Sequence, residues 1–172
     1  QVLAVGSASF SVMIFTLLAA FAVAYIGGRI LKLERDTAVL IGAGTAICGG
    51  SAIAAVAPVI GAKDKDIAFS ISTIFLFNVM AVFIFPFLGH LWGLSDMVFG
   101  MWAGTAINDT SSVVAAGYSY SAEAGSYATI VKLTRALMIV PVCLVFAFLT
   151  ARRESRQGGF SLVKIFPWFI LW

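Results

Sequence analysis

The stretch Ile41-Gly42-Ala43-Gly44-Thr45-Ala46-Ile47-Cys48-Gly49-Gly50-Ser51-Ala52-Ile53-Ala54-Ala55-Val56-Ala57-Pro58-Val59-Ile60 decides the fold. It is apolar enough to lie in a bilayer. It also carries glycines and small hydroxyl residues that a plain lipid-facing helix does not need. Glycine costs about 1 kcal/mol in a helix interior relative to alanine. Gly49-Gly50-Ser51 therefore reads as a break, with Ser51 placed to cap a second half-helix. A broken helix at membrane depth is tolerated where it faces protein or a water-filled cavity, and transporters build ion sites from half-helix ends. The other reading of the same residues is close helix contact through small side chains, with no ligand.

Composition agrees with a membrane setting. The chain is 61% hydrophobic and 11% charged, and its mean hydropathy is +1.03. A soluble domain carries about 25% charged residues. Long apolar runs dominate over alternating ones, so the expected class is an all-α polytopic membrane protein. The net charge of +3 is small and its basic residues cluster at helix ends. That distribution suits membrane orientation and excludes nucleic acid as a partner. Cys48 and Cys143 both fall in apolar segments, which argues against a disulfide framework.

Five spans are predicted, over residues 9–31, 37–62, 67–91, 97–117 and 128–150, with at least one discontinuous. Residues 37–62 and 97–117 fit either full crossings or re-entrant hairpins; their length, about 20 residues or more, favours full crossings. Arg29, Lys32 and Arg35, and later Arg152, Arg153 and Arg156, place two ends on the cytoplasmic side. Pro141 predicts a kink in the fifth span. Gln1 is not an initiator methionine, no signal peptide is legible, and Lys164 to Trp172 reads as the start of a sixth helix. The expectation is a piece of a longer protein, with one transmembrane domain over 1–172.

Chemistry concentrates in the fourth span, at Asn108-Asp109-Thr110-Ser111-Ser112. Asp109 is the acid placed well inside an apolar span, and such a group marks function unless it serves as an N-cap near a membrane face. Ala103 to Ile107 repeats Ala43 to Ile47 letter for letter, and the pairing extends to seven identities in sixteen positions. The echo suggests that both segments line one cavity. Gly100 and Gly104 form a GxxxG packing pattern. Lys132 and Arg135 share a helix face. Lys132 is placed to snorkel to the interface, and Arg135 either pairs with Asp109, holds an anionic substrate or snorkels as well. The candidate ligand-contacting residues are thus Thr45, Cys48, Gly49, Gly50, Ser51, Asn108, Asp109, Thr110, Ser111 and Arg135. His90, beside Trp92, reads as interfacial. No enzyme motif is present, and one histidine with two separated cysteines makes no metal site, so neither catalysis nor a cofactor is expected.

Leu40 to Ala55 with Ala57 to Ile60, Gly104-Thr105, Val113 to Gly117, Val131 to Arg135, and Phe166 to Phe169 follow one another as separated motifs. In this order they resemble the YeiH-like bacterial inner-membrane proteins, often labelled sulfate exporters, and the resemblance covers nearly the whole chain. Members are longer than this chain. The resemblance implies a fold similar to the cation–proton antiporter and bile-acid symporter superfamily, with inverted repeats and crossing broken helices. It would place the partner of the Cys48–Ser51 break beyond Trp172, so that the two echoed segments are not a symmetric pair. Many members carry a His-Glu pair where this chain has Asn108-Asp109, so a His–carboxylate relay lacks its imidazole here. The function so implied is secondary transport of a small anion, sulfate-like or organic, in the bacterial inner membrane, with protons or sodium as coupling ion and a homo-oligomer open. A passive pore and a non-transporting membrane scaffold are the alternatives.

Overall fold

The structure, a computed structural model, describes residues 2–155. The expected sixth helix at 164–172 lies outside the described residues. The chain forms α1 (Val2–Ile30), α2 (Arg35–Ala46), α3 (Gly50–Ile60), α4 (Asp64–Leu91), α5 (Asp96–Ala106), α6 (Thr110–Tyr120), α7 (Ala122–Ala136) and α8 (Ile139–Ser155). With no strand among the described residues, it is an all-helical membrane protein. Phe75, Leu76, Phe83 and Phe87 of α4 and Phe148 of α8 stay exposed, as side chains meeting lipid do.

Breaks fall where glycine and polar residues predict them, after Ala46 and after Ala106. What the chain does at each break differs from the full crossing expected over 37–62 and 97–117: it folds back. In the first hairpin a methyl on Gly44 would lie 3.1 Å from Ile53 Cδ1. Arg35 and Asp36 share a recess with Ile60. Glu34 pairs with Lys65, and Thr37 Oγ1 donates to Asp66 Oδ1 at 2.7 Å. Residues 34–37 and 60–66 therefore share one end, and α2 and α3 run antiparallel. In the second hairpin the Tyr120 hydroxyl donates to the Leu94 carbonyl. Ser121 Oγ donates to Asp96 Oδ1, and the Phe99 and Tyr120 rings stack at 3.9 Å. Residues 94–99 and 120–121 adjoin, so α5 and α6 run antiparallel as well. Each hairpin helix has 11 or 12 residues, roughly 17 Å at the helical rise and about half the hydrocarbon core.

Helix α4 links the two hairpins. Its first turn meets the open end of α2–α3, and its last turn meets the open end of α5–α6, where His90 stacks on Tyr120 at 4.3 Å. Its 28 residues span roughly 42 Å, so the two hairpins enter from opposite ends and their tips meet in the middle.

The second hairpin is gripped by α7. Methyls on Gly100 and Gly104 would fall 2.9 and 2.7 Å from the Ala124 and Ala128 carbonyl oxygens. The GxxxG pattern is therefore a true close approach of α5 to α7. The last long element starts at Ala122, not near 128, and it loosens at Leu137–Met138, ahead of Pro141. Proline lacks an N–H and its ring displaces the carbonyl four residues back, which here is Leu137. Met138 N–H and Val140 N–H accordingly turn to the Arg135 and Leu137 carbonyls at i−3.

Candidate functional site

The two tips are Ile47-Cys48-Gly49 and Ile107-Asn108-Asp109. A methyl on Gly49 would lie 3.5 Å from Asp109 N and 3.6 Å from the Asn108 carbonyl carbon, so the tips touch. The Cys48–Ser51 break thus meets the second tip within the described residues. The echoed pentapeptides Ala43–Ile47 and Ala103–Ile107 take equivalent places, each ending the helix that enters its hairpin.

A helix end leaves its last carbonyls without intrahelical donors. Two such ends, of α2 and α5, converge here away from water, and α7 supplies both of them. Lys132 Nζ donates to Ile47 O at 2.8 Å and to Ile107 O at 3.2 Å. Arg135 Nε donates to Ala46 O at 2.7 Å, Nη2 to Thr45 O, and Nη1 to Thr105 O. Cations at helix C-termini also complement the macrodipole. Lys132 is 0% exposed and Arg135 is 2% exposed, so neither snorkels. Arg135 does not pair with Asp109 either; among the described residues the one ion pair is Lys65–Glu34. With all three guanidinium nitrogens on carbonyls, Arg135 caps the helix ends of both hairpins.

The opposite half-helix ends behave differently. Asp109 is the N-cap of α6: its Oδ2 accepts from Ser112 N at 3.0 Å, from Ser112 Oγ at 3.3 Å and from Ser111 Oγ. The N-cap alternative for Asp109 therefore holds in geometry, although the site is the meeting point of two tips and not a membrane face. Helix α3 has no side-chain cap: Gly49 holds the cap position, and Ser51, expected to cap the half-helix, sits inside its first turn. Gly49 before it adopts φ 70° and ψ −127°, and a methyl on Gly50 would meet nothing within 4 Å. Ser51 and Ser111 are exposed, Gly50 and Thr110 half-buried, and the buried Cys48 thiol lies beside Ser51 and the Ala52 amide. The α3 N-terminus thus presents the Gly50 and Ser51 amides next to an acid, while the Ala52 amide is taken by the Cys48 thiol and the Ile53 amide by the Gly49 carbonyl.

Sequence reasoning left Asn78 out of the site. Its Oδ1, at the middle of α4, accepts from Asn108 N at 3.0 Å and from Asp109 N at 3.3 Å, pinning the second tip. The signal was its place as the lone amide at mid-span. Asn78→Ala leaves two amide donors without that acceptor, a loss of about 1–3 kcal/mol. The expected readout is a lowered unfolding temperature in detergent; an unchanged one would show that the tip is held elsewhere. Lys132 was noticed as a charge, but its carbonyl partners were not foreseen.

Comparison with known proteins agrees with the class that the fold defines, a helical membrane protein. The family model described as Conserved hypothetical protein 698 matches residues 1–172. A UPF0324 membrane protein of Clostridium tetani (strain Massachusetts / E88) is 50% identical over 185 residues, covering 99% of this chain and 54% of that protein. UPF0324 membrane protein VV1_3166 of Vibrio vulnificus (strain CMCP6) is 48% identical over 172 residues, 100% of this chain and 55% of that protein. UPF0324 membrane protein SAG1125 of Streptococcus agalactiae is 47% identical over 176 residues, 100% and 52%. The chain belongs to this family, the YeiH-like group its motifs resemble, and it spans about half the length of the curated relatives it matches. No solved structure matches it.

Proposed function

We propose that the full-length protein is a secondary transporter of a small anion in the bacterial inner membrane, with this chain forming one inverted-repeat unit. In this reading α1, α4 and α7–α8 cross the bilayer, and α2–α3 and α5–α6 are re-entrant hairpins from opposite sides. The charge distribution supports that topology. Arg29, Lys32, Arg35, Lys63, Lys65 and Arg152 all sit at the end where the first hairpin opens, while residues 89–98 and 118–127 at the other end carry no lysine or arginine. The basic end is then cytoplasmic.

The observation that carries the functional reading is the division of labour at the tips. The protein's own cations occupy the electronegative C-terminal ends of α2 and α5, so a transported cation is not needed there. The electropositive N-terminus of α3 is left open, and free N–H groups at a helix start favour anions. Asp109, at the adjoining tip, opposes an anion there when ionised and ceases to oppose it when protonated. The groups that face it are Ser111 and Ser112 on α6, and Lys132 on α7 lies within reach of its charge. Anion and proton binding therefore favour each other, which is a coupling device.

The test is a thermal-unfolding scan of the full-length protein against sulfate, sulfonates and carboxylates at two pH values. A ligand at 100 times its dissociation constant adds about 2.7 kcal/mol. One anion class is expected to stabilise, more strongly at the lower pH, and Asp109→Asn is expected to remove the pH dependence. Gly50→Val, which points into open space, should keep the basal stability and lose the anion response. A flat response across the panel, or saturable exchange of cations only, would sink the anion reading.

A further inference from the structure

A groove of about 570 Å³ opens at the basic end between α1, α2 and α8. Its mouth holds Arg29, in the last turn of α1, and Arg35, the first residue of α2. Phe21, Val39 and Phe146 line it further in. Phe21 is two helical turns from Arg29, roughly 12 Å deeper along α1. Tyr25 stands between, its hydroxyl accepting from Arg29 Nη1 at 2.8 Å and its ring centre 5.6 Å from the guanidinium carbon. That contact holds Arg29 against the groove wall. The Arg35 guanidinium has no hydrogen-bond or ion-pair partner among the described residues, and no acid lines the groove. Of the nearby acids, Glu34 is taken by Lys65, and Asp36 lines an adjoining recess of about 100 Å³ that Arg35, Val39 and Phe146 also border, without pairing with Arg35.

We infer that this groove holds one anionic phospholipid of the leaflet at the basic end, its phosphate between Arg29 and Arg35 and an acyl chain along Phe21, Val39 and Phe146. The argument is charge and depth together. Arginine binds phosphate oxygens through paired N–H groups, and basic pockets between membrane helices on the cytoplasmic side select anionic headgroups. A free phosphate would use the mouth and leave the apolar depth empty; a neutral lipid would fill the depth and leave Arg35 unpaired. The site is remote from the hairpin tips and does not depend on what passes between them.

The test uses the full-length protein in detergent micelles doped with phosphatidylglycerol, with phosphatidylcholine, or with added inorganic phosphate, reading the unfolding temperature. Phosphatidylglycerol is expected to raise it, and the other two are not. Arg29→Gln/Arg35→Gln should weaken the apparent phosphatidylglycerol affinity about 30-fold, the loss expected for two basic contacts at a membrane surface. Lys63→Gln/Arg152→Gln removes the same charge from the same end outside the groove, leaves the Lys65–Glu34 pair intact, and should leave that affinity unchanged. The inference is overturned by no response to any lipid, by an equal response to phosphatidylcholine, by a response to phosphate alone, or by equal losses in the two double variants. The comparison of lipids on the unaltered protein decides the matter even where a variant folds poorly.

Discussion

Replacing Arg135 with alanine is expected to lower the stability of the folded protein by about 3–5 kcal/mol, a large share of the 5–15 kcal/mol typical of a domain. The side chain donates to Thr45, Ala46 and Thr105, which belong to two hairpins entering from opposite ends. Its removal leaves three helix-end carbonyls without that donor, and each buried group so orphaned costs about 1–3 kcal/mol before relaxation. Some of that cost returns as Lys132, one turn away, rearranges. Arg135→Lys should recover only part of the loss, because one ammonium cannot present the guanidinium's separated donors to both helix ends. Unfolding temperature and detergent resistance of the two variants are the readouts. A wild-type unfolding temperature for Arg135→Ala would mean that the hairpins are not tied together through α7.

The second large effect is expected at Gly49, and the contrast with Gly50 makes it informative. Gly49 has φ 70° and ψ −127°, a region that L side chains rarely enter, and strain there costs about 1–3 kcal/mol. Space is not the obstacle, since a methyl would make ordinary contacts at 3.5 Å with Asp109 N and Ile74 Cγ2. Gly49→Ala should therefore destabilise through the backbone alone, and it should also shift the tip against Asn108–Asp109. Gly50→Ala, one residue later in the first turn of α3 with nothing within 4 Å, should be neutral or slightly stabilising, because alanine restricts the unfolded chain and favours helix. Equal unfolding temperatures for the two alanine variants would refute the turn geometry at the first tip.

Resemblance and composition led to the membrane class and to the family, and both hold. Local chemistry was also legible. Gly49-Gly50-Ser51 and Asn108-Asp109-Thr110 break their helices as read, because glycine and short polar side chains compete with the helical ladder wherever they occur. Gly100 and Gly104 gave a contact that the fold uses against α7. The echo of Ala43–Ile47 at Ala103–Ile107 suggested that both segments line one cavity, and the structure brings their tips into contact.

Sequence by itself thus determined the helical class, the positions of the two breaks, and the placing of Asp109 at a helix start beside Ser111 and Ser112. The sense of each break was decided by tertiary structure. A segment of 21 to 26 apolar residues is equally long whether it crosses once or enters and returns, and hydrophobic periodicity does not record the angle at a break. Only contacts such as Tyr120 with Leu94 and Thr37 with Asp66 close the hairpins. The partners of Lys132 and Arg135 were likewise beyond the sequence. They are backbone carbonyls 25 to 90 residues away, and every residue carries the same carbonyl. Which of them is left without a donor is known only once two helix ends have been brought to the same place.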